Sequence, residues 1–327
     1  MKRDPLLEKL RKLEALRAIA GSSEALPLVR KALHERSSLL VEKAASIVQE
    51  KELAGLAPDV VAAFTRFLEH PSDDPGCRAK IALARALSAL DHRDPEPFER
   101  GAAHVQREPV WGKLIDVAGP VRGICVQALI GCAIDHDRLL RLYVDRFADD
   151  DKVVRTEVAA ALAQLGGTES ILLLRLKALA GDAEPEVVGQ CLLSLLDREP
   201  EESVGFVARF LDAPSDELRF EAVSALGQAR SAAALPHVER FWADERLSTD
   251  LRLATVGALA ASPRPESSDF LLRAIGQYPG RIAEAAVAAA CASRFAHSVR
   301  DRLRSAVAAS GDDGLARAFE GHNPTDR

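Results

Sequence analysis

An internal repeat constrains the fold of this chain more than any other feature. One recurring segment ends in an arginine followed by a phenylalanine. Its clear copies are Arg66-Phe67-Leu68, Arg146-Phe147-Ala148, Arg209-Phe210-Leu211 and Arg240-Phe241-Trp242. A second segment alternates with the first and opens on an apolar–basic pair, as in Val154-Arg155 and Leu218-Arg219. Because the two segments alternate along the chain and recur at the same spacing, we predict one pair of helices per repeat.

Apolar residues inside the segments recur at the helical spacing, and strand-like alternation is missing. Val154, Val158 and Leu162 share one helical face, for example. Residues that commonly cap helices fall between the segments: Gly166, Gly181, Gly227 and Gly311 at C-termini, and Asp151, Ser215 and Thr249 at N-termini. A single helix pair has too small a core to fold alone. The sequence therefore predicts an all-α fold, a right-handed α-solenoid of about eight helix pairs.

The repeat extends over nearly the whole chain, so we expect one solenoid over residues 1–320. The amphipathic N-terminal segment 1–21 is predicted to be a capping helix, and the tail 321–327 to be flexible. No apolar core of signal-peptide length follows Met1, and the longest apolar run, Ala285 to Ala292, is too short to span a bilayer. These features favour a cytoplasmic protein without membrane contact.

Composition and charge narrow the classes of partner. The chain is 47% hydrophobic and 28% charged, which is typical of a globular protein. A formal net charge of −6 disfavours nucleic acid as a partner. The five cysteines are widely spaced and form no C-x-x-C, so neither a disulfide framework nor a zinc site is expected.

At the level of individual residues the repeat resembles HEAT repeats. The clearest copy is Leu218-Arg219-Phe220-Glu221-Ala222-Val223-Ser224-Ala225-Leu226-Gly227. The match is closest to the bacterial HEAT-like repeats that also occur in phycobilisome lyases. The resemblance implies that the second helix of each pair lines a concave face where partners commonly bind. It specifies fold more strongly than function.

The most informative departure from the repeat is an insertion at residues 109–118. The spacing rises to 42 residues between Val105 and Phe147, and the inserted segment contains Trp111 and Gly112 with Asp116 and Arg122 nearby. One interpretation is a recognition loop that presents Trp111 to a partner, because exposed aromatic residues and arginines dominate binding energy. The alternative is that Trp111 fills a gap between uneven repeats.

A second, smaller insertion covers the polar residues 70–76. It contains two prolines, a glycine and the pair Asp73-Asp74. Such a composition is typical of a surface turn. We expect these residues to be solvated and to have no further role.

A row of cations recurs at one position of the second segment. Its members are Lys80, Arg122, Arg155, Arg219 and Arg252. Exposed on the concave face, they would form a stripe suited to acidic peptides or phosphates. The alternative, implied by the resemblance to HEAT repeats, is that they tie neighbouring repeats together through Asp151, Asp216 and Asp250.

Signals for catalysis are weak, so we expect no catalytic residue, metal or cofactor. The clusters 135–137 and 149–151 lie where helices should start, and acidic residues there are stabilised by the helix dipole. The leading hypothesis is a non-catalytic scaffold that binds a protein or peptide, with small-molecule ligands disfavoured. The alternatives are a lyase-like enzyme or chaperone handling a chromophore, implied by the resemblance to phycobilisome lyases, and a nucleic-acid-binding repeat protein.

Overall fold

The computed structural model describes residues 5–17 and 25–322. Over these residues the fold is helical apart from two short strands. The chain divides into two compact units, Met1–Leu165 and Gly166–Arg327. Parts of the predicted capping helix (1–4 and 18–21) and of the predicted tail (323–327) lie outside the described residues. The prediction of one continuous solenoid over 1–320 stays a prediction.

The first unit consists of helices in consecutive antiparallel pairs, interrupted once by a hairpin. Its elements are α1 (Pro5–Leu16), α2 (Ala25–Leu33), α3 (Ser38–Glu50), α4 (Ala57–Glu69), α5 (Arg78–Ala89), α6 (Pro95–Ala102), β1 (Arg107–Val110), β2 (Lys113–Asp116), α7 (Gly119–Ala128), α8 (His136–Arg146) and α9 (Lys152–Leu165). Helices α3, α5, α7 and α9 stack in one layer, and α2, α4 and α6 pack in a second. This is the two-layer arrangement that the two alternating repeat segments predict.

The second unit repeats the same plan without an inserted strand. Its helices are α10 (Gly167–Ala180), α11 (Pro185–Arg198), α12 (Pro200–Ala208), α13 (Asp216–Gln228), α14 (Ala234–Trp242), α15 (Thr249–Ala260), α16 (Glu266–Gln277), α17 (Arg281–Ala292), α18 (Ala296–Ser310) and α19 (Asp313–His322). Helices α11, α13, α15, α17 and α19 form one continuous stack. Each contributes a face of apolar side chains that the neighbouring helices bury.

The helix ends follow the sequence signals with two corrections. Ser215 caps α13 by accepting a hydrogen bond from Leu218 N at 3.2 Å, as predicted. Thr249 is the first residue of α15 and does not cap it, because Ser248 accepts the bond from Leu251 N. Gly227 lies inside α13 and is not a C-cap. Its missing side chain is needed because a Cβ there would overlap Ala258 on α15.

Candidate partner-binding hairpin

The insertion at 109–118 is a β-hairpin and not an irregular loop. Strands β1 and β2 pair antiparallel in the register Arg107↔Asp116, Glu108↔Ile115, Pro109↔Leu114 and Val110↔Lys113. These strands could not be predicted from the sequence, because each is only four residues long and the turn lacks the usual Asn-Gly or Asp-Gly signal.

The turn of the hairpin holds a tryptophan in an unfavourable backbone conformation. Trp111 has φ +48° and Gly112 has φ +78°, the positive values that a type I′ turn requires at both central residues. Glycine adopts this region freely, whereas a bulky residue there costs about 1–3 kcal/mol. The turn geometry alone therefore gives no reason for a tryptophan at position 111.

Trp111 is the most exposed large apolar side chain among the described residues. It is 99% exposed, so the alternative in which it fills a gap between repeats is wrong. Leu114 on β2 is 71% exposed. In a two-residue hairpin Val110 and Lys113 form the first hydrogen-bonded pair, so Pro109 and Leu114 form a non-hydrogen-bonded pair whose side chains lie close together. Trp111, Pro109 and Leu114 thus make an exposed apolar tip.

Two exposed cations lie on the hairpin, Lys113 next to the turn on one face and Arg107 at the base on the other face, opposite Asp116. Arg107 and Lys113 are exposed, and neither forms an ion pair with any residue that the structure describes. The carboxyl groups of the hairpin point elsewhere, since Glu108 and Asp116 bond to groups in the body of the first unit. The exposed side chains of the hairpin are therefore mainly aromatic, aliphatic and positively charged.

Asp116 fixes the base of the hairpin. Its Oδ1 accepts hydrogen bonds from Gln106 N and Ala118 N, both at 3.0 Å, and its Oδ2 lies 2.6 Å from Arg122 Nη1. Burial alone would raise the pKa of Asp116. The two backbone hydrogen bonds and the guanidinium of Arg122 outweigh that effect and lower the pKa, so the carboxylate stays charged.

Arg122 connects this base to the helices. Its side chain is 2% exposed, and besides Asp116 it donates to both carboxylate oxygens of Asp149, at 2.9 and 2.7 Å, and to His104 O at 2.9 Å. Burial would lower the pKa of Arg122, but Asp149 and Asp116 raise it further above its usual value. This bidentate geometry requires a guanidinium, so lysine could not replace it.

A second attachment joins the hairpin to the insertion at 70–76. Gly76 N donates to both oxygens of the Glu108 carboxylate, at 2.9 and 3.1 Å, and Gln106 Nε2 donates to Asp74 O at 2.9 Å. The two insertions found separately in the sequence are therefore in contact. Residues 70–76 form two short 3₁₀ turns, Pro71–Asp73 and Pro75–Cys77.

The expectation that residues 70–76 are solvated throughout is wrong. Asp74 is completely buried, where it accepts from Ala79 N and Lys80 N at the start of α5, both at 3.0 Å. Its Oδ2 lies 3.2 Å from Nζ of Lys80, which is also completely buried. The composition of residues 70–76 is that of a surface turn and does not predict a buried Asp74, because that burial depends on Lys80, six residues later.

The row of cations does not form an exposed stripe, because Lys80, Arg122, Arg155 and Arg252 are buried and only Arg219 is partly exposed. Each of them donates to a carbonyl oxygen near the end of the preceding helix. The acceptors are Phe67 O for Lys80, His104 O for Arg122, Asp149 O for Arg155, Leu211 O for Arg219 and Trp242 O for Arg252. Carbonyls at a helix C-terminus lack backbone partners, so a cation there is stabilising.

The acidic clusters considered as metal ligands cap helices or bind arginine. Asp135 accepts from Arg138 N at the start of α8, Asp149 binds Arg122, and Asp151 accepts from Val153 N at the start of α9. Within residues 5–17 and 25–322 no group of three His, Cys, Asp or Glu side chains is arranged to hold a metal ion.

Residues 172–248, in the second unit, match the sequence model of a family described as HEAT repeats. The match supports a HEAT-repeat protein. No curated protein matches the chain. Among the described helices none is both long and apolar enough to cross a bilayer.

The matched HEAT repeats contain Arg219 but not the hairpin, which lies in the first unit. The other four members of the cation row and the hairpin lie outside the matched residues. The break in spacing located the hairpin in the sequence, but it did not indicate the contacts of Glu108, Gln106, Asp74 and Asp149. Only the spacing of the two insertions could have suggested that they meet.

Proposed function

We propose that this chain is a non-catalytic protein-interaction scaffold that recognises a partner protein through its Trp111 hairpin. HEAT repeats commonly serve as protein-interaction scaffolds, which supports the general part of the proposal. The observation that carries the specific part is the 99% exposed ring of Trp111 on a strained, firmly anchored turn. Strained backbone that the surroundings hold in place is concentrated at functional positions.

The residues singled out in the sequence divide into two roles under this proposal. Trp111 contacts the partner, Gly112 permits the turn, and Asp116 and Arg122 position the hairpin. Arg155, Arg219 and Arg252 contribute by binding carbonyl oxygens near the end of the preceding helix, so that the surface presented to the partner keeps its shape.

The energy available from Trp111 is large enough for recognition. Burying a tryptophan removes about 150–250 Å² from water, and central aromatic residues of interfaces cost about 2 kcal/mol or more when truncated. That cost corresponds to at least about a 30-fold loss of affinity. The rigid attachment of the hairpin also reduces the ordering cost of binding.

The finer sequence predictions belong to the same proposal. They are the right-handed sense of the solenoid, the count of about eight pairs, a concave binding face, the phycobilisome-lyase-like subtype, a bacterial source and a cytoplasmic location. The resemblance in the repeat supports the subtype.

The test compares capture of partners by the wild-type chain and by Trp111→Asn. Asparagine tolerates positive φ, so the turn keeps its geometry while the ring is removed. The matched control is Leu176→Ala, which removes a 63% exposed leucine from α10 in the second unit. Captured proteins are quantified by mass spectrometry, and the folding of each variant is checked by circular dichroism.

A candidate partner is then purified and titrated against the chain carrying Trp242→Phe. The chain has two tryptophans and Trp242 is buried, so in this background only Trp111 reports. We expect its emission to shift to shorter wavelength on binding. The proposal fails if every protein captured by the wild type is retained equally by Trp111→Asn, or if the emission of Trp111 is unchanged in the complex.

A further inference from the structure

An apolar groove of about 600 Å³ runs along the second unit at the first turns of α11, α13 and α15. Pro185, Phe220 and Leu251 contribute its apolar surface. Phe220 is 46% exposed although phenylalanine is usually buried in a helix stack. The size lies in the range of pockets that enclose a bulky side chain or a small ligand.

Carboxylates surround this groove. They are Glu184, Glu186, Asp216, Glu217, Glu221 and Asp250. Asp216 pairs with Arg219, whereas Glu217, Glu221 and Asp250 form no ion pair within the described part of the chain. Acidic residues in the first turn of a helix are stabilised by the helix dipole, and this explains the presence of most of these carboxylates.

Glu221 needs a further explanation, because it lies beyond the first turn of α13. It is half-buried, and a Cβ at Gly189 on α11 would overlap its carboxylate. Burial, and secondarily the charge of Glu186, raises the pKa of Glu221. A cation entering the groove would relieve this unfavourable burial of charge.

The hairpin has the complementary properties. Its tip presents Trp111, Pro109 and Leu114. Lys113 next to the turn and Arg107 at the base form no ion pair among the described residues. An apolar tip with one cation on each face of the hairpin behind it thus matches an apolar groove with a carboxylate rim. Complementary charge of this kind selects partners and speeds their encounter.

We propose that the Trp111 hairpin of a second copy of this chain occupies the apolar groove beside Phe220. In the complex the indole packs against the Phe220 ring, and Arg107 and Lys113 face Glu217, Glu221 and Asp250. This inference rests on the proposed function, since it takes the hairpin to be a recognition element and names its partner.

The contact joins two different surfaces, so it is heterologous. Each copy that donates a hairpin still has a vacant groove, and further copies add until a ring closes or a filament grows. The average mass in solution must therefore rise with protein concentration. Added salt must lower it, because exposed charges are screened.

The experiment is sedimentation velocity on the full chain over a broad range of concentration. The variants are Trp111→Asn, the hairpin reversal Arg107→Glu with Lys113→Glu, and the groove reversal Glu217→Lys with Asp250→Lys. The matched control reverses two exposed cations outside the hairpin, Lys51→Glu with Arg85→Glu. Circular dichroism establishes that each variant folds.

We expect the wild type and the control to associate and Trp111→Asn to associate about 30-fold more weakly. Each charge reversal alone should sediment as a monomer. Mixing the hairpin-reversed chain with the groove-reversed chain should restore association, because each hairpin then meets a groove of opposite charge.

A wild-type chain that stays monomeric at every concentration overturns the inference, as does a folded mixture of the two reversals that fails to associate. In either case Trp111-dependent capture of a different protein leaves the proposed function standing. If neither self-association nor such capture depends on Trp111, both proposals fail.

Discussion

Replacing Arg122 with methionine should destabilise the first unit strongly. The guanidinium makes four hydrogen bonds, to Asp116, to both oxygens of Asp149 and to His104 O. Methionine has a similar length but supplies no donor. The substitution therefore leaves two carboxylates facing each other across an apolar side chain, and Asp149 is nearly inaccessible to water.

The expected cost follows from the uncompensated charge. Removing one partner of a buried ion pair costs about 3–5 kcal/mol. For a unit of 165 residues, Met1–Leu165, each kcal/mol lowers the melting temperature by about 2–4 °C. We thus expect a loss of roughly 10 °C in the transition that reports this unit.

The assay is urea and thermal unfolding followed by circular dichroism, with a second variant that separates charge from packing. In that variant Arg122→Met is combined with Asp116→Asn and Asp149→Asn. The two carboxylates are then neutral, and Arg146, which loses its contact with Asp149, is partly exposed to water, so most of the lost stability should return. Arg219→Met is the control, since this member of the cation row is partly exposed and should cost no more than about 1–2 kcal/mol.

Two results would refute this reasoning. One is an Arg122→Met chain within about 1 kcal/mol of the wild type, which would mean that water reaches the carboxylates. The other is a triple variant as unstable as the single one, which would assign the loss to packing and not to charge.

Three further predictions concern strain, charge burial and thiols. Trp111→Asn should stabilise the first unit by up to about 1 kcal/mol in urea unfolding, because it relieves the positive φ; a loss of stability would show that the indole packs. The folded chain raises the pKa of Glu221, so the protonated carboxyl stabilises the fold and this stability is lost as the pH rises and the group ionises. Glu221→Gln, which stays neutral, should therefore raise the melting temperature at neutral pH but not below about pH 4. An equal effect at both pH values would contradict this. Burial raises the pKa of Cys77 and of Cys191 to about 12. Iodoacetamide at neutral pH should therefore spare both in the native chain and modify them after unfolding, and rapid native labelling would show that these helices open.

The helix pairs could be read from the sequence because their signal is repeated. Arg66 at the end of α4 and Arg146 at the end of α8 occupy equivalent positions, and both donate to carbonyls of earlier residues, Leu33 O and Ala102 O. A contact that recurs in more than one repeat leaves a periodic trace in the sequence. Ser215 was predictable for a related reason, since a cap acts within three residues of itself.

The site was less predictable because its contacts do not recur. The break in spacing placed the insertion, but Trp111 was open to two interpretations and its exposure depends on how the turn is held. Glu108 and Gly76 meet across 32 residues in a contact without a periodic trace. The cation row was visible in the sequence but its role was not. Arg155 and Arg252 recur because each stabilises the helix packing, and a periodic pattern alone cannot distinguish that role from binding to a partner.

The buried charged groups at the base of the hairpin are better explained by the need to fix the hairpin's position than by a gain in folding stability. An isolated two-stranded hairpin is marginally stable in water, so this one depends on Asp116, Glu108 and their partners. Well-packed apolar residues would commonly stabilise such a core as well as a buried ion pair does. Apolar residues, however, could not fix the hairpin by directed hydrogen bonds at both strands. A rigidly held tip loses little conformational entropy on binding, which is what recognition by Trp111 requires.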